Sequence, residues 1–418
     1  MSYVYSYDAN GNITEIKQNG KLINKYTYDS LNELKEEYDY VNKFYINYSY
    51  DGAGNLQNKY EQVLDPTYGY PTGTQNGNTY EYTDTSWKDK LTKVNGSNIS
   101  YDANGNPLTY RDGMSMTWKN GRQLTTLTNG DTSISYGYDS DSVRTTKTVN
   151  GVKYTYAYLN GQLMYETRGD AKFYYSYDAN GILYNVRYTL TDGGTEYSYY
   201  YTHNSRGDIV GIYNGAGELK AHYEYDAWGN VISITDNNGN AITNPNHIGN
   251  LNPFRYRGYY QDTETGLYYL MSRYYDPITH RFINADGYFQ SGTSILDANT
   301  FAYCGNNPVL NVDPLGTCKV PNYTSAGTYI GHTWKIKESV PGVPGFCNVC
   351  KGYGSNAPSN TSHSFVISSY TTPSTKKQDY NTWNKVADSF GAIFCSLEVD
   401  ADFGVGFGIS MKRVPMVV

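Results

Sequence analysis

The hexapeptide Tyr-Asp-x-x-Gly-Asn returns four times along this chain, at residues 7–12, 50–55, 101–106 and 225–230. Weaker copies surround Asp29, Asp139, Asp178 and Asn204, and the first three aspartates, Asp8, Asp29 and Asp51, stand 21 and 22 residues apart. A period of about 20 residues marks units too small to bury a face alone, so each must stack on its neighbours. That constraint excludes most globular folds before any single residue is weighed.

Each unit has one grammar: an aromatic alternation, Asp, two small residues, Gly-Asn, and a second alternation such as Ile13-Thr14-Glu15-Ile16 or Val231-Ile232-Ser233-Ile234. This reads as strand, turn, strand. Asp and Asn hydrogen-bond their own backbone, and Gly supplies the positive φ that tight turns require. Residues 1–250 are therefore expected to form one continuous antiparallel sheet of hairpins in sequence order, nearly free of helix. Equivalent tyrosines would stack across strands and act as its core.

The composition fits a wet, two-sided sheet better than a helical enzyme: 49 of 418 residues are Tyr, 17% are charged, and mean hydropathy is −0.65. No apolar run approaches membrane-spanning length. The chain opens inside a repeat at Ser2-Tyr3-Val4-Tyr5 with nothing like a signal peptide. The expectation is a distal piece or cassette of a longer gene, exported by another route.

The composition changes near residue 317. Residues 1–317 hold 44 tyrosines and one cysteine, with 24 basic against 34 acidic side chains, a net of −10. Residues 318–418 hold 5 tyrosines and four cysteines, with 9 basic against 6 acidic side chains, a net of +3. Three parts follow: a repeat array (1–250), a connecting region (251–317) and a passenger of single-domain size (318–418).

The connecting region carries Arg255-Tyr256, Gly266-Leu267-Tyr268-Tyr269, Arg273-Tyr274-Tyr275-Asp276-Pro277, Arg281-Phe282, Gly305-Asn306-Asn307-Pro308 and Asp313-Pro314-Leu315-Gly316, in that order. With the repeats, these motifs resemble the Rhs and YD-repeat proteins, the carriers of polymorphic toxins, over about residues 1–316. The resemblance implies an all-β architecture: a spiral sheet of stacked hairpins forming a shell, a core region that plugs it, and a variable effector directly after the DPxG motif. It further implies that the core cuts the chain just past that motif in the manner of an aspartic protease. Arg273, Asp286 and Asp313 then fall on the family's Arg and Asp pair, and the scissile bond on Thr317-Cys318.

Such chemistry needs two carboxylates close enough that one keeps a proton and polarises the amide while the other activates water, with an Arg to tune them. Taken alone, Asp-Gly and Asp-Pro are ordinary turn dipeptides and an Arg among tyrosines usually stacks or pairs. Thr317 departs from the bulky apolar residue usual after the motif's glycine. About ten repeats are recognisable, fewer than in family members that fully enclose cargo, so an open or incomplete shell is expected.

In the passenger the sharpest constellation is Cys347-Asn348-Val349-Cys350 with His332 upstream and His363 beyond. Two thiolates and two imidazoles at these spacings suit tetrahedral zinc. Disulfides with Cys318 or Cys395, or a free thiol pair, are the competing readings. His332 and His363 equally suit general-base work in a metal-independent nuclease. Trp383, Val386, Ala387, Phe390, Ile393, Phe394 and Leu397 recur at helical spacing after Asn381-Thr382, and from Leu397 to Met411 apolar residues occupy every odd position. The pair predicts a small α+β domain. The alternation also suits a membrane-barrel strand, although a soluble strand kinked at its glycines is the plainer reading.

Two functions from different classes remain. The first is a carrier that houses its own C-terminal domain as cargo and releases it between competing bacteria, secreted or delivered at the cell surface. Nucleic acid is then the effector's leading substrate, on the charge contrast, and a cognate immunity protein is implied. The second is a non-enzymatic surface scaffold whose tyrosines bind glycan or protein, with the tail as an inert cap.

Overall fold

Alternating turns build the array. The computed structural model describes residues 2–287, 295–317 and 320–321, in which strands run in sequence order from Tyr3–Tyr7 to Val231–Thr235, each antiparallel to the next within its sheet. At one end of the hairpins sits the repeat turn. Asp8 Oδ1 accepts the N–H groups of Asn10 and Asn12, both at 2.9 Å, and Asp51, Asp102, Asp178, Asp226 and Asp236 repeat that pattern. The residue in the fourth position of the turn is left-handed, Gly11 at φ +84° and, where Gly is missing, Asn32 at +66°. At the other end Asn-Gly pairs such as Asn19-Gly20, Asn150-Gly151 and Asn160-Gly161 make two-residue hairpins with both φ values positive.

Two expectations need correction. The array is two sheets and not one: nine strands from Tyr3–Tyr7 to Ser97–Asn98, then fourteen from Ser100–Tyr101 to Val231–Thr235. The ladder breaks at Ile99, which turns inward to near-complete burial and sends its N–H to the Thr92 carbonyl at 2.7 Å. Nor is the tyrosine core simply a stacked ladder. Rings do stack locally, as in Phe173–Tyr188 and Tyr188–Tyr197, each at 5.2 Å. The tyrosines of the repeat turns, however, act through their hydroxyls: Tyr28, Tyr50, Tyr138, Tyr177 and Tyr225 donate to the carbonyls of Ile13, Leu34, Leu124, Leu163 and Ile209 at 2.7–3.0 Å. Each ring fills apolar space while its tip satisfies a carbonyl of the preceding hairpin, which Phe could not do.

The end of the second sheet returns to the beginning of the first. Tyr5 and Ser205 share a hydroxyl hydrogen bond, Ala227 donates its N–H to Glu37 Oε1 at 2.8 Å, and Lys59 lies 3.7 Å from Asp226. Among the described residues the only α-helix is Ile248–Leu251, and none is long and apolar enough to cross a membrane.

Candidate active site

After that helix the chain folds onto the array. Strands Tyr260–Asp262, Leu267–Leu270, Arg273–Asp276 and Arg281–Phe282 form a four-stranded sheet whose every residue is buried. Its aromatic centre stacks Tyr275 on Tyr303 at 3.9 Å. The hydroxyls of Tyr256, Tyr275 and Tyr268 reach the carbonyls of Ala227, Trp228 and Gly229, so the last strong repeat turn is gripped residue by residue. Charge completes the docking. Arg111 pairs with Asp276 at 2.6 Å, and Asp262 takes Arg144 at 2.6 Å and Lys147 at 2.9 Å. Burial opposes ionisation of Asp262, but the two cations outweigh it and hold its carboxyl below the usual range.

The candidate site lies where this sheet meets the Asp-Pro-Leu-Gly turn. Arg273 opens the strand Arg273–Asp276 with its guanidinium carbon 3.5 Å from the centre of the Phe282 ring. One nitrogen, Nη2, contacts both carboxylates: Asp286 Oδ2 at 2.9 Å and Asp313 Oδ2 at 3.5 Å. All three side chains are more than nine-tenths buried. Sharing one nitrogen keeps the two acids within a few ångströms of each other. Arg273 Nη1 donates to the Thr300 carbonyl at 3.0 Å, and its Nε donates to the Gly316 carbonyl.

The peptide before the predicted cut is held on both sides. Asp313 Oδ1 accepts the Thr317 N–H at 3.0 Å, while Ser272 Oγ lies 2.9 Å from the Gly316 oxygen and 2.6 Å from that of Leu315. Gly316 itself has φ +69°, and a Cβ there would come within 2.8 Å of the Leu270 carbonyl and 2.9 Å of Ser272 Oγ. Only glycine fits that cradle. Asp313 is fixed in turn by its own N–H, which donates to the Tyr259 hydroxyl at 3.2 Å.

The structure thus brings Arg273, Asp286 and Asp313 together against the backbone of Gly316 and Thr317. Cys318, the other side of the predicted scissile bond, lies outside the described residues, as do His332, Cys347, Cys350 and His363 and with them the zinc, disulfide and nuclease readings. Among the described residues no group of three or more His, Cys, Asp or Glu is arranged to hold a metal. Two contacts around the candidate site are not legible in the sequence. Ser272 holds the turn from the residue before Arg273, and Arg122 of the array donates to the carbonyls of Ala285 and Asp286. Chemically, a buried guanidinium that bridges two acids lets them sit side by side, next to a backbone held at Gly316 and Thr317.

Comparison with known proteins bears on the repeat array and on the fold. The RHS Repeat family profile matches residues 203–241. The chain is 37% identical over 299 residues to the "tRNA3(Ser)-specific nuclease WapA" of Bacillus spizizenii, a match that takes in 69% of this chain and 12% of that protein. It is 26% identical over 375 residues to the "Double-stranded DNA deaminase toxin A" of Burkholderia cenocepacia, covering 82% of this chain and 23% of that one. The chain therefore spans a small fraction of these relatives' length. Among solved structures, the complex TcdB2-TccC3-Cdc42 superposes with a TM-score of 0.59 at 20% identity, over 75% of this chain and 17% of the other, a likeness of fold.

Proposed function

The chain is an Rhs/YD-repeat protein, and from that membership we propose that it carries residues 318–418 as a toxin used between competing bacteria and frees them by self-cleavage between Thr317 and Cys318. The observation that carries the proposal is the contact of Arg273 Nη2 with both Asp286 and Asp313 beside the Thr317 amide. In the reaction one carboxylic acid of the pair hydrogen-bonds to the Thr317 carbonyl oxygen while the other, as carboxylate, takes a proton from water. The resulting hydroxide adds to the carbonyl carbon. Collapse of the tetrahedral species breaks the C–N bond, the Cys318 nitrogen leaves with a proton as a free amine, and Thr317 ends as a carboxylate. Both acids contact the same Arg273 nitrogen, so either can take either role.

Nucleic acid is the proposed substrate class of the released part. Its net of +3 against −10 for residues 1–317 favours both storage beside the array and approach to a polyanion. The Bacillus spizizenii relative is a tRNA nuclease by name, which supports the same class. A toxin of this kind needs a cognate immunity protein in the producing cell, and delivery outside it. Expression of residues 318–418 in bacteria is the test: loss of tRNA, abolished by changing His332 or His363 to Ala, supports the nuclease. Harmless expression, or killing by membrane depolarisation with RNA and DNA intact, removes it.

A further inference from the structure

The acid pair belongs to the core region, but the loop that carries Asp286 is braced from elsewhere. Arg122 follows the Asn120-Gly121 turn of the array, 163 residues from Ala285. Its guanidinium forks across two successive carbonyls, Nη1 to Ala285 and Nη2 to Asp286, the latter at 2.6 Å. The repeat signature supports that fork from behind. Asn106 of the third Tyr-Asp-x-x-Gly-Asn motif bonds Asp102 at 2.8 Å and the Gly121 carbonyl at 2.6 Å, which fixes the turn that Arg122 leaves. Gly105 of the same motif packs so closely on the loop that a Cβ would stand 3.3 Å from the Ala285 Cβ and 2.9 Å from the Trp87 ring. On its other side the loop is tied to the core by the Asp286 N–H, which donates to the Thr300 carbonyl at 2.8 Å, and Thr300 also receives Arg273.

We infer that Arg122 is a positioning residue for the self-cleavage, contributed by the repeat array, so that the acid pair takes up its working geometry only when the core has docked on the folded array. The inference rests on the proposed self-cleavage. Its physical basis is that a planar, two-pronged donor fixes the direction of two consecutive peptide planes and hence of the Asp286 side chain between them. A misplacement of about 1 Å at a reacting carboxylate is enough to cost on the order of 100-fold in rate. The consequence is an order of events: the cargo bond is cut after the array has formed and not before.

The test follows cleavage of the full chain in timed cell-free translation, read as the ratio of fragment to intact chain. Arg122→Ala is expected to slow cleavage by roughly 10- to 100-fold, and Arg122→Lys, which keeps the charge but loses the fork, to fall between the two. Added methylguanidinium at non-denaturing concentration should restore part of the rate in Arg122→Ala and none in Asp286→Asn. The inference is overturned if Arg122→Ala cleaves at the wild-type rate while Asp286→Asn does not cleave. It is equally overturned if the slow rate follows a general loss of stability, with a lowered melting temperature and no rescue. Undiminished cleavage in Asp286→Asn removes the underlying reading instead, and this inference with it.

Discussion

Arg144 of the array donates to Asp262 of the core at 2.6 Å with both side chains completely buried. Five tyrosine rings, those of Tyr136, Tyr156, Tyr260, Tyr269 and Tyr274, lie within 5.8 Å of its guanidinium carbon, and Lys147 shares the carboxylate. Removing one partner of such a pair leaves an uncompensated buried charge, at about 3–5 kcal/mol. Asp262→Ala should therefore loosen the core from the array and expose residues 252–316 to limited proteolysis. Digestion at the wild-type rate would mean that the aromatic contacts alone hold the core.

Asp286→Asn and Asp313→Asn should each stop cleavage while leaving the fold intact, because the amide keeps the size and an acceptor oxygen of the acid it replaces. Asn at position 313 can still accept the Thr317 N–H now bonded at 3.0 Å. Circular dichroism and melting close to wild type, with no fragments on a gel, is the expected pair of results. Cleavage in both variants would point to an outside protease.

Arg273→Ala is expected to act differently, lowering both cleavage and stability. It leaves Asp286 and Asp313 facing one another without their shared cation and deprives the Gly316 carbonyl of a donor. The stability loss should be about 3–5 kcal/mol, the usual cost of breaking a buried pair. Denaturant titration of Arg273→Ala against Asp286→Asn separates the two effects.

A pH dependence follows from Glu33, which is almost wholly buried between a repeat turn and Asn306 of the core. Burial, the first cause, pushes its carboxyl up from 4.5 to about 8, the Asn306 hydrogen bond opposing and Asp29 assisting. With the folded value above the unfolded one, its contribution is fully present below pH 4.5 and is lost as pH rises through about 8. Glu33→Gln removes the titration and keeps an acceptor for Asn306. Its melting temperature should therefore gain on wild type progressively from pH 5 to pH 8.5, and a constant difference across that range would contradict the assignment.

What could be read from the chain was what its residues do locally. Asp8, Asp51 and Asp226 organise turns within four residues of themselves, so the repeat and the hairpin order were legible. The break at Ile99 was not, because it depends on an inward burial that alternation does not encode. The hydroxyl ties of Tyr50 and Tyr177 were missed for a related reason: they cross to a carbonyl 16 and 14 residues back. That Arg273, Asp286 and Asp313 lie together is suggested in the sequence only by the family motifs, since nothing in their spacing alone announces a pair of acids. Arg122 reads as an ordinary residue after a hairpin turn, and only the fold brings it to the Asp286 carbonyl.

The most direct measurement is the intact mass of the freshly purified 418-residue, 47.0 kDa chain under denaturing conditions. Self-cleavage gives two species, residues 1–317 ending in the Thr317 carboxylate and residues 318–418 beginning with the Cys318 amine, together heavier than the uncut chain by one water. A single species at the full mass, persisting after prolonged incubation, would contradict self-cleavage and favour the scaffold with an inert cap.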